Sequence, residues 1–222
     1  MNSTELKALK DHFELYKDAD RALSMSAYMK GHFLFYGIPS PMRRNIQRDW
    51  HKGNVWSEGL KWSIIFELWD QPEREFQYVA CDWLSKWKDS ELEEQHIDFI
   101  EQLISTKSWW DSVDALAPNI LDSYFNKFPH MEHPTIFRWL LTDNMWLRRS
   151  CLIYQLKRRE KTDVKLLEAC IEVLITDRQF FIQKAIGWSL RQFAKHDPAY
   201  VSELLNRLPI QGLALREASK YL

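Results

Sequence analysis

Apolar residues recur at helical spacing along almost the whole chain, and the pattern breaks at near-regular intervals. Leu6, Leu9, His12, Phe13 and Tyr16 trace one stripe, Ile64, Ile65, Leu68 and Trp69 a second, and Leu166, Leu167, Cys170, Ile171 and Leu174 a third. No stretch alternates for long enough to read as a strand. Only 6 glycines and 8 prolines in 222 residues are too few for a fold of many tight turns. The breaks are Trp69-Asp70-Gln71-Pro72, Thr106-Lys107-Ser108-Trp109, Thr142-Asp143-Asn144-Met145 and Thr176-Asp177-Arg178-Gln179. Aligned on Asp70, Lys107, Asp143 and Asp177, they lie 37, 36 and 34 residues apart, the range of paired-helix repeats. Each break offers an N-cap (Asp70, Ser108, Asp143, Asp177), and a helix of about 15 residues is expected after each. Helix pairs of this size cannot bury their apolar faces alone. The expectation is therefore an all-α solenoid whose concave side is lined by the second helix of each repeat. No low-complexity linker interrupts the chain, so residues 1–222 read as a single domain.

Composition narrows the function classes. A chain that is 45% hydrophobic and 27% charged reads as an ordinary globular protein with ample core. The net charge of −1 lends no support to nucleic-acid binding, although a local basic patch fits inside a neutral total. The eleven tryptophans read mainly as helix packing, with a surface stack against bases or sugars as the alternative. Cys81, Cys151 and Cys170 are odd in number and lack CxxC spacing, which fits a reducing compartment without disulfides or a zinc ribbon. His130 and His133, beside Pro129 and Pro134, read as a solvated turn rather than a metal site. No apolar run reaches the length of about 18 residues that spans a membrane. The start, Met1-Asn2-Ser3-Thr4-Glu5-Leu6-Lys7, is polar and unlike a signal peptide. A cytosolic monomer is the expectation.

The second helices open with aromatics interleaved with charge: Glu73-Arg74-Glu75-Phe76-Gln77, Trp109-Trp110-Asp111-Ser112-Val113-Asp114, Trp146-Leu147-Arg148-Arg149 and Phe180-Phe181-Ile182-Gln183-Lys184-Ala185-Ile186-Gly187-Trp188. Trp110 and Asp114 are four apart and share a helix face. With Arg149 and Trp188 from the next two repeats, they would place one carboxylate, one guanidinium and two indoles on one concave surface. Such a set suits cleavage of an N-glycosidic bond, whose transition state puts positive charge on the sugar. A fixed carboxylate stabilises that cation and orients water, and indole faces add cation–π attraction. Arg149 could clamp a flanking phosphate. No second carboxylate is needed if the leaving base is already cationic, as an alkylated purine is. A purely structural alternative makes Asp114 a plain helix residue paired with a lysine and puts Trp110 and Trp188 in the core.

The motif Lys107-Ser108-Trp109-Trp110-Asp111-Ser112-Val113-Asp114, together with Phe180 through Arg191, resembles the AlkD family of alkylpurine DNA glycosylases. So do Tyr28-Met29-Lys30, Pro41-Met42-Arg43-Arg44, Leu68 through Phe76 and Asp143 through Arg149, in order along nearly the whole chain. The resemblance implies a HEAT-like solenoid with a concave DNA-binding face. It implies a monofunctional hydrolase that removes cationic N3- and N7-alkylated purines (3-methyladenine, 7-methylguanine) from double-stranded DNA in the bacterial cytosol or nucleoid, leaving an abasic site. It implies no deep base pocket. Carried over by motif, the catalytic aspartate falls on Asp114, the sugar-facing tryptophans on Trp110 and Trp188, the site arginine on Arg149 and the DNA-contacting tyrosine on Tyr28. Trp109 and Asp111 belong to the same motif but read as structural. Pro39 stands where relatives often carry a polar residue.

Contact with the DNA backbone needs a basic stripe, for which Arg43, Arg44, Arg148, Arg149, Lys184, Arg191 and Lys195 are the candidates. No metal or organic cofactor is expected, since hydrolysis of a cationic nucleoside needs only water. Two alternatives compete: a non-catalytic HEAT-repeat binder of damaged, bent or branched DNA, and a solenoid that binds a peptide.

Overall fold

The computed structural model describes residues 4–53, 62–87 and 89–222, so Met1, Asn2 and Ser3 of the polar N-terminus lie outside the described residues. Among these residues the architecture is all-α, a helical-repeat fold, and the only extended pairing is an isolated bridge between Leu34 and Glu73. The chain divides into two compact units, Met1–Trp87 and Lys88–Leu222. None of the described helices is long and apolar enough to cross a membrane.

The first unit contains α1 (Thr4–Leu15), α2 (Ala19–Tyr28), α3 (Ser40–Gly53), α4 (Trp62–Asp70) and α5 (Arg74–Leu84). Its core joins Leu6, Leu9 and Phe13 of α1 to Ile65 and Leu68 of α4 and Phe76 and Val79 of α5, all fully buried. The first stripe is narrower than its spacing suggests. His12 is exposed, and Tyr16 lies beyond the end of α1 and is 48% exposed. Asp18 caps α2 by accepting the Arg21 N–H at 2.9 Å. The connection into α3 is held from within. The buried Glu75 carboxylate accepts backbone N–H groups from Tyr36, Gly37 and Ile38 at 3.1, 2.9 and 3.2 Å. Gly37 has φ +86°, and a Cβ there would stand 2.2 Å from the Asp18 carbonyl, so only glycine fits this crossing.

The second unit contains α6 (His96–Ser105), α7 (Trp110–Leu116), α8 (Asp122–Lys127), α9 (Pro129–Leu140), α10 (Met145–Ile153), α11 (Val164–Leu174), α12 (Phe180–Phe193), α13 (Pro198–Arg207) and α14 (Gly212–Ala218). Here α10 packs on α6, α7, α9, α11 and α12, and α12 packs on α14. All five residues of the Leu166–Leu174 stripe are buried, as are the four of the Ile64–Trp69 stripe in the first unit. Between α7 and α8 the helix widens into one π turn, Ala117–Leu121. Pro118 has no N–H to give the Asp114 carbonyl four residues back, and its ring would clash with that carbonyl in a regular helix. The Asn119 side-chain amide donates to the neighbouring Ala115 carbonyl at 2.6 Å. Behind this turn, Arg158 sits between Asp122 (2.6 Å) and Glu132 (2.7 Å), and the Tyr154 hydroxyl donates to Glu132.

Several local expectations are corrected. The residue before α10 that caps it is Asn144, not Asp143; its side chain accepts from the N–H groups of Trp146 and Leu147. Asp70 ends α4, Ser108 donates backwards to the Ile104 carbonyl, and Asp177 receives the Gln179 N–H, so none of the three is the residue next to the following helix. His130 and His133 lie within α9, not in a turn. Pro129 occupies the first helical position, where its missing N–H costs nothing. Of the tryptophans, Trp50, Trp62, Trp69 and Trp139 are core residues.

Candidate active site

The residue that starts α7 is preceded by Trp109, whose extended backbone (φ −158°) turns the chain into the helix. The Trp109 ring packs on Trp146 and Phe181, with centroids at 5.7 and 5.3 Å. It therefore ties together the starts of α7, α10 and α12, which is the structural part the sequence gives it. Trp110 follows, half-buried, and Asp114 lies one turn further along.

Asp114 and Arg149 are 35 residues apart, one repeat, and the repeat brings them face to face. Arg149 Nε donates to Asp114 Oδ1 at 2.9 Å and Nη2 to Oδ2 at 2.8 Å; Nη1 donates to the Phe181 carbonyl at 2.5 Å. The guanidinium is thus engaged on both edges, and its side chain is only 4% exposed, against 18% for Asp114. Buried and hydrogen-bonded on both edges, Arg149 faces the carboxylate. Burial pushes the Asp114 carboxyl above its ordinary value of 3.8. The hydrogen bonds and charge of Arg149 pull it back down, and Asp111 adds a further upward push. A bidentate guanidinium therefore fixes the carboxylate's plane and favours its charged form.

Asp114 and Arg149 line an open cleft of about 380 Å³, together with Trp110, Phe180, Phe181, Lys184, Trp188, Arg191 and Glu217. Trp110, Asp114, Arg149, Trp188, Lys184 and Arg191 are thus brought to one place. The cleft also contains three residues that sequence reasoning did not select, Phe180, Phe181 and Glu217. Phe180, 58% exposed, opens α12 as Trp110 opens α7, so its repeat position was the available signal. Glu217 comes from α14, beyond the recurring breaks, and no motif marks it.

Glu217 organises the cleft's far wall. It is 5% exposed and accepts from Lys184 at 3.0 Å, from Lys220 at 2.9 Å and from Arg191. Hydrogen bonds from Lys220 and Lys184, joined by Arg191, pull its carboxyl down to about 2, against the opposing effect of burial. It reaches this position because residue 187 is glycine. A Cβ there would stand 2.4 Å from Glu217 Cβ and 2.7 Å from the Ala214 carbonyl oxygen, so α12 and α14 touch backbone to backbone.

The remaining basic candidates divide by burial. Arg43 is 3% exposed and its Nη1 donates to Asp82 at 2.9 Å, which removes it from any surface stripe. Arg148 pairs with Asp177 at 2.8 Å and is 19% exposed. Arg44 remains 65% exposed. Lys195 donates to Gln192 at 2.9 Å. Tyr28 is 69% exposed at the end of α2, in the first unit.

An all-helical repeat protein whose cleft holds a guanidinium-bound carboxylate and is also lined by two indoles is the class that fold and site define. Residues 9–222 match the DNA alkylation repair enzyme family, and the chain belongs to that family, which acts in repair of alkylation damage. A solved structure from Enterococcus faecalis, described as a predicted DNA alkylation repair enzyme, is 36% identical. It aligns over 93% of this chain and 96% of its own, with a TM-score of 0.82. A second, smu.31 from Streptococcus mutans UA159, is 18% identical over 81% of this chain and 91% of its own. Its TM-score of 0.60 shows likeness of fold alone. Comparison with curated proteins gave no match.

Proposed function

We propose that the protein is a monofunctional DNA glycosylase of the AlkD type. It hydrolyses the N-glycosidic bond of cationic N3- and N7-alkylated purines in duplex DNA and leaves an abasic site. The observation that carries this reading is the Asp114 carboxylate, held by two hydrogen bonds from Arg149 in an open cleft that Trp110 and Trp188 also line. The alkylated base leaves as a neutral purine, and the electron pair of the broken bond goes with it. Positive charge then develops on the deoxyribose. The ionised Asp114 stabilises that charge and accepts a proton from the water that attacks the anomeric carbon. Each indole face contributes about 0.5–2 kcal/mol of cation–π stabilisation when desolvated. Arg149 is the positioning residue that keeps Asp114 ionised and oriented. Lys184 and Arg191, on the wall that Glu217 braces, are the cleft cations available to flanking phosphates, and Tyr28, Arg44 and Arg148 complete the DNA contacts. The reaction needs no cofactor, and the 222-residue chain acts as one functional domain and a monomer, in the cytosol.

The test is a single-turnover assay on a duplex containing one 7-methylguanine, with alkali-labile strand breaks reporting the abasic product. Asp114→Asn is expected to lower the excision rate by about 100-fold or more, as loss of a transition-state charge partner does. Excision by Asp114→Asn at the wild-type rate would refute the role of Asp114. Tight duplex binding by the wild type without excision would assign a non-catalytic DNA binder instead.

A further inference from the structure

Base removal leaves a reactive product. An abasic deoxyribose opens to an aldehyde, and an uncharged amine beside it forms a Schiff base. Among the described residues, Lys184 is the only lysine that lines the cleft of Asp114, Trp110 and Trp188. It precedes Trp188 by four residues on α12, so the two share a helix face about 6 Å apart along the axis. We propose that Glu217 is a positioning residue that confines the enzyme to base removal: it holds Lys184 as a tethered ammonium ion that cannot attack the abasic sugar. The identity of the sugar rests on the glycosylase reading above; the ion pair does not.

The tether divides the two carboxylate oxygens unequally. Glu217 Oε1 accepts from Lys184 Nζ at 3.0 Å and serves that lysine alone, whereas Oε2 accepts from Lys220 at 2.9 Å and from Arg191. The Glu217 side chain is 7% exposed, so water competes weakly for it. Its carboxyl is pulled down to about 2 and is therefore ionised throughout the neutral range. An amine that carries a third proton and donates it to a buried carboxylate has no lone pair with which to attack a carbonyl.

Without Glu217 the same surroundings act in the opposite sense. Lys184, Arg191 and Lys220 converge on this one carboxylate. Removing its charge leaves three cations side by side. Arginine does not release its proton, so the repulsion falls on the lysines and favours their neutral form. Crowding by cations is one way in which a lysine becomes a nucleophile. Asp114, the other carboxylate in the lining, cannot take over, because both of its oxygens already accept from Arg149.

The reaction that the tether prevents is an elimination. The neutral Lys184 nitrogen would bond to C1′ of the opened sugar, and the carbonyl oxygen would leave as water, giving an imine. Loss of a C2′ proton to solvent would then break the bond between C3′ and oxygen. Its electron pair would depart with the phosphate, and the strand would be cut. No oxidant, metal or further reactant enters this sequence. With the tether in place, the abasic strand leaves the cleft intact.

Two measurements on the full-length protein test this. Pulse acetylation with acetic anhydride at pH 8, read by mass spectrometry, reports free amine at Lys184 with no DNA present. Glu217→Gln keeps the shape of the side chain and removes its charge. Lys184 in this variant should acetylate about tenfold faster than in wild type, with the exposed Lys165 unchanged. Gly187→Ala, whose new Cβ would stand 2.4 Å from Glu217 Cβ and displace it, should raise the rate in the same direction without altering any ionisable group. A duplex with one preformed abasic site is then incubated with each protein and sodium cyanoborohydride, which reduces an imine to a stable adduct. Glu217→Gln should give the adduct and, without the reductant, strand cleavage that needs no alkali; wild type and Glu217→Gln/Lys184→Met should give neither. Acetylation of Lys184 at the wild-type rate in both variants overturns the tether. No adduct from Glu217→Gln, or an adduct that survives Lys184→Met, overturns the reach of Lys184 to the sugar. Wild type that leaves 7-methylguanine in place refutes the glycosylase reading instead, and the acetylation rates are independent of that result.

Discussion

Replacing Gly187 with alanine adds a single methyl group where α12 and α14 approach closely. In a helix interior that change ordinarily stabilises by about 1 kcal/mol. Here the new Cβ would lie 2.4 Å from Glu217 Cβ and 2.7 Å from the Ala214 carbonyl, where ordinary contact begins at 3.4 Å. Neither obstacle is a flexible chain end, so α14 has to retreat by about 1 Å, and overpacking of this kind costs about 1–3 kcal/mol. With both contacts below 3.0 Å, the upper part of that range applies, about 2–3 kcal/mol, which leaves the variant about 1–2 kcal/mol less stable. At about 2–4 °C per kcal/mol for a chain of this size, the thermal midpoint should fall by about 2–8 °C, measured by circular dichroism. The same retreat carries Glu217 away from Lys184, lengthening a 3.0 Å hydrogen bond to about 4 Å, beyond bonding range. A melting midpoint equal to or above wild type would refute the argument that close backbone approach dictates the glycine.

Burial raises the Asp114 carboxyl against the partial restraint of Arg149. Excision should therefore fail as pH drops through a midpoint above 3.8, and Arg149→Met should move that midpoint higher; a single-turnover pH profile with the same midpoint in both proteins would contradict this. Glu217 runs the other way. Its folded value of about 2 lies below the ordinary 4.5, so the stability it contributes is complete above 4.5 and lost as pH falls toward 2. The urea midpoint of wild type should drop between pH 5 and pH 3 more than that of Glu217→Gln, and parallel drops would exclude the linkage. In the first unit, Glu75→Gln removes the charge that three backbone N–H groups share. It should cost about 2 kcal/mol or more and speed hydrogen exchange at Tyr36, Gly37 and Ile38. Unchanged exchange at those amides would show that the loop holds without it.

The stripes at Ile64–Trp69 and Leu166–Leu174 were legible because burial repeats with the helix period, and the recurring breaks were legible because each repeat restarts it. The 35-residue interval that sets Asp114 against Arg149 follows from that period. What the period does not encode is partner choice. Arg43 reads like Arg44 in sequence, yet it faces inward to Asp82, 39 residues away, while its neighbour faces water. Capping residues misled by one to three positions, since an aspartate near a break can brace the loop as easily as the helix. Glu217 was illegible because its place depends on the missing side chain at Gly187, a contact between α12 and α14 that no local pattern announces.

The π turn at Ala117–Leu121 has a consequence for how this chain can vary over evolution. A π turn accommodates one residue more than the regular helix on either side of it, so it acts as a phase marker. The extra residue is absorbed locally, so Asp122 still meets Arg158 and Phe125 still reaches the core. Deleting Pro118 would remove the ring that bars a regular ladder, and the turn would close to α geometry with both flanking helices near their present phase. Length in this turn is therefore free to drift by one residue, provided the proline goes with it. An alignment gap of a single residue at Pro118 would mark a relative whose ladder runs unbroken from the cleft to the core.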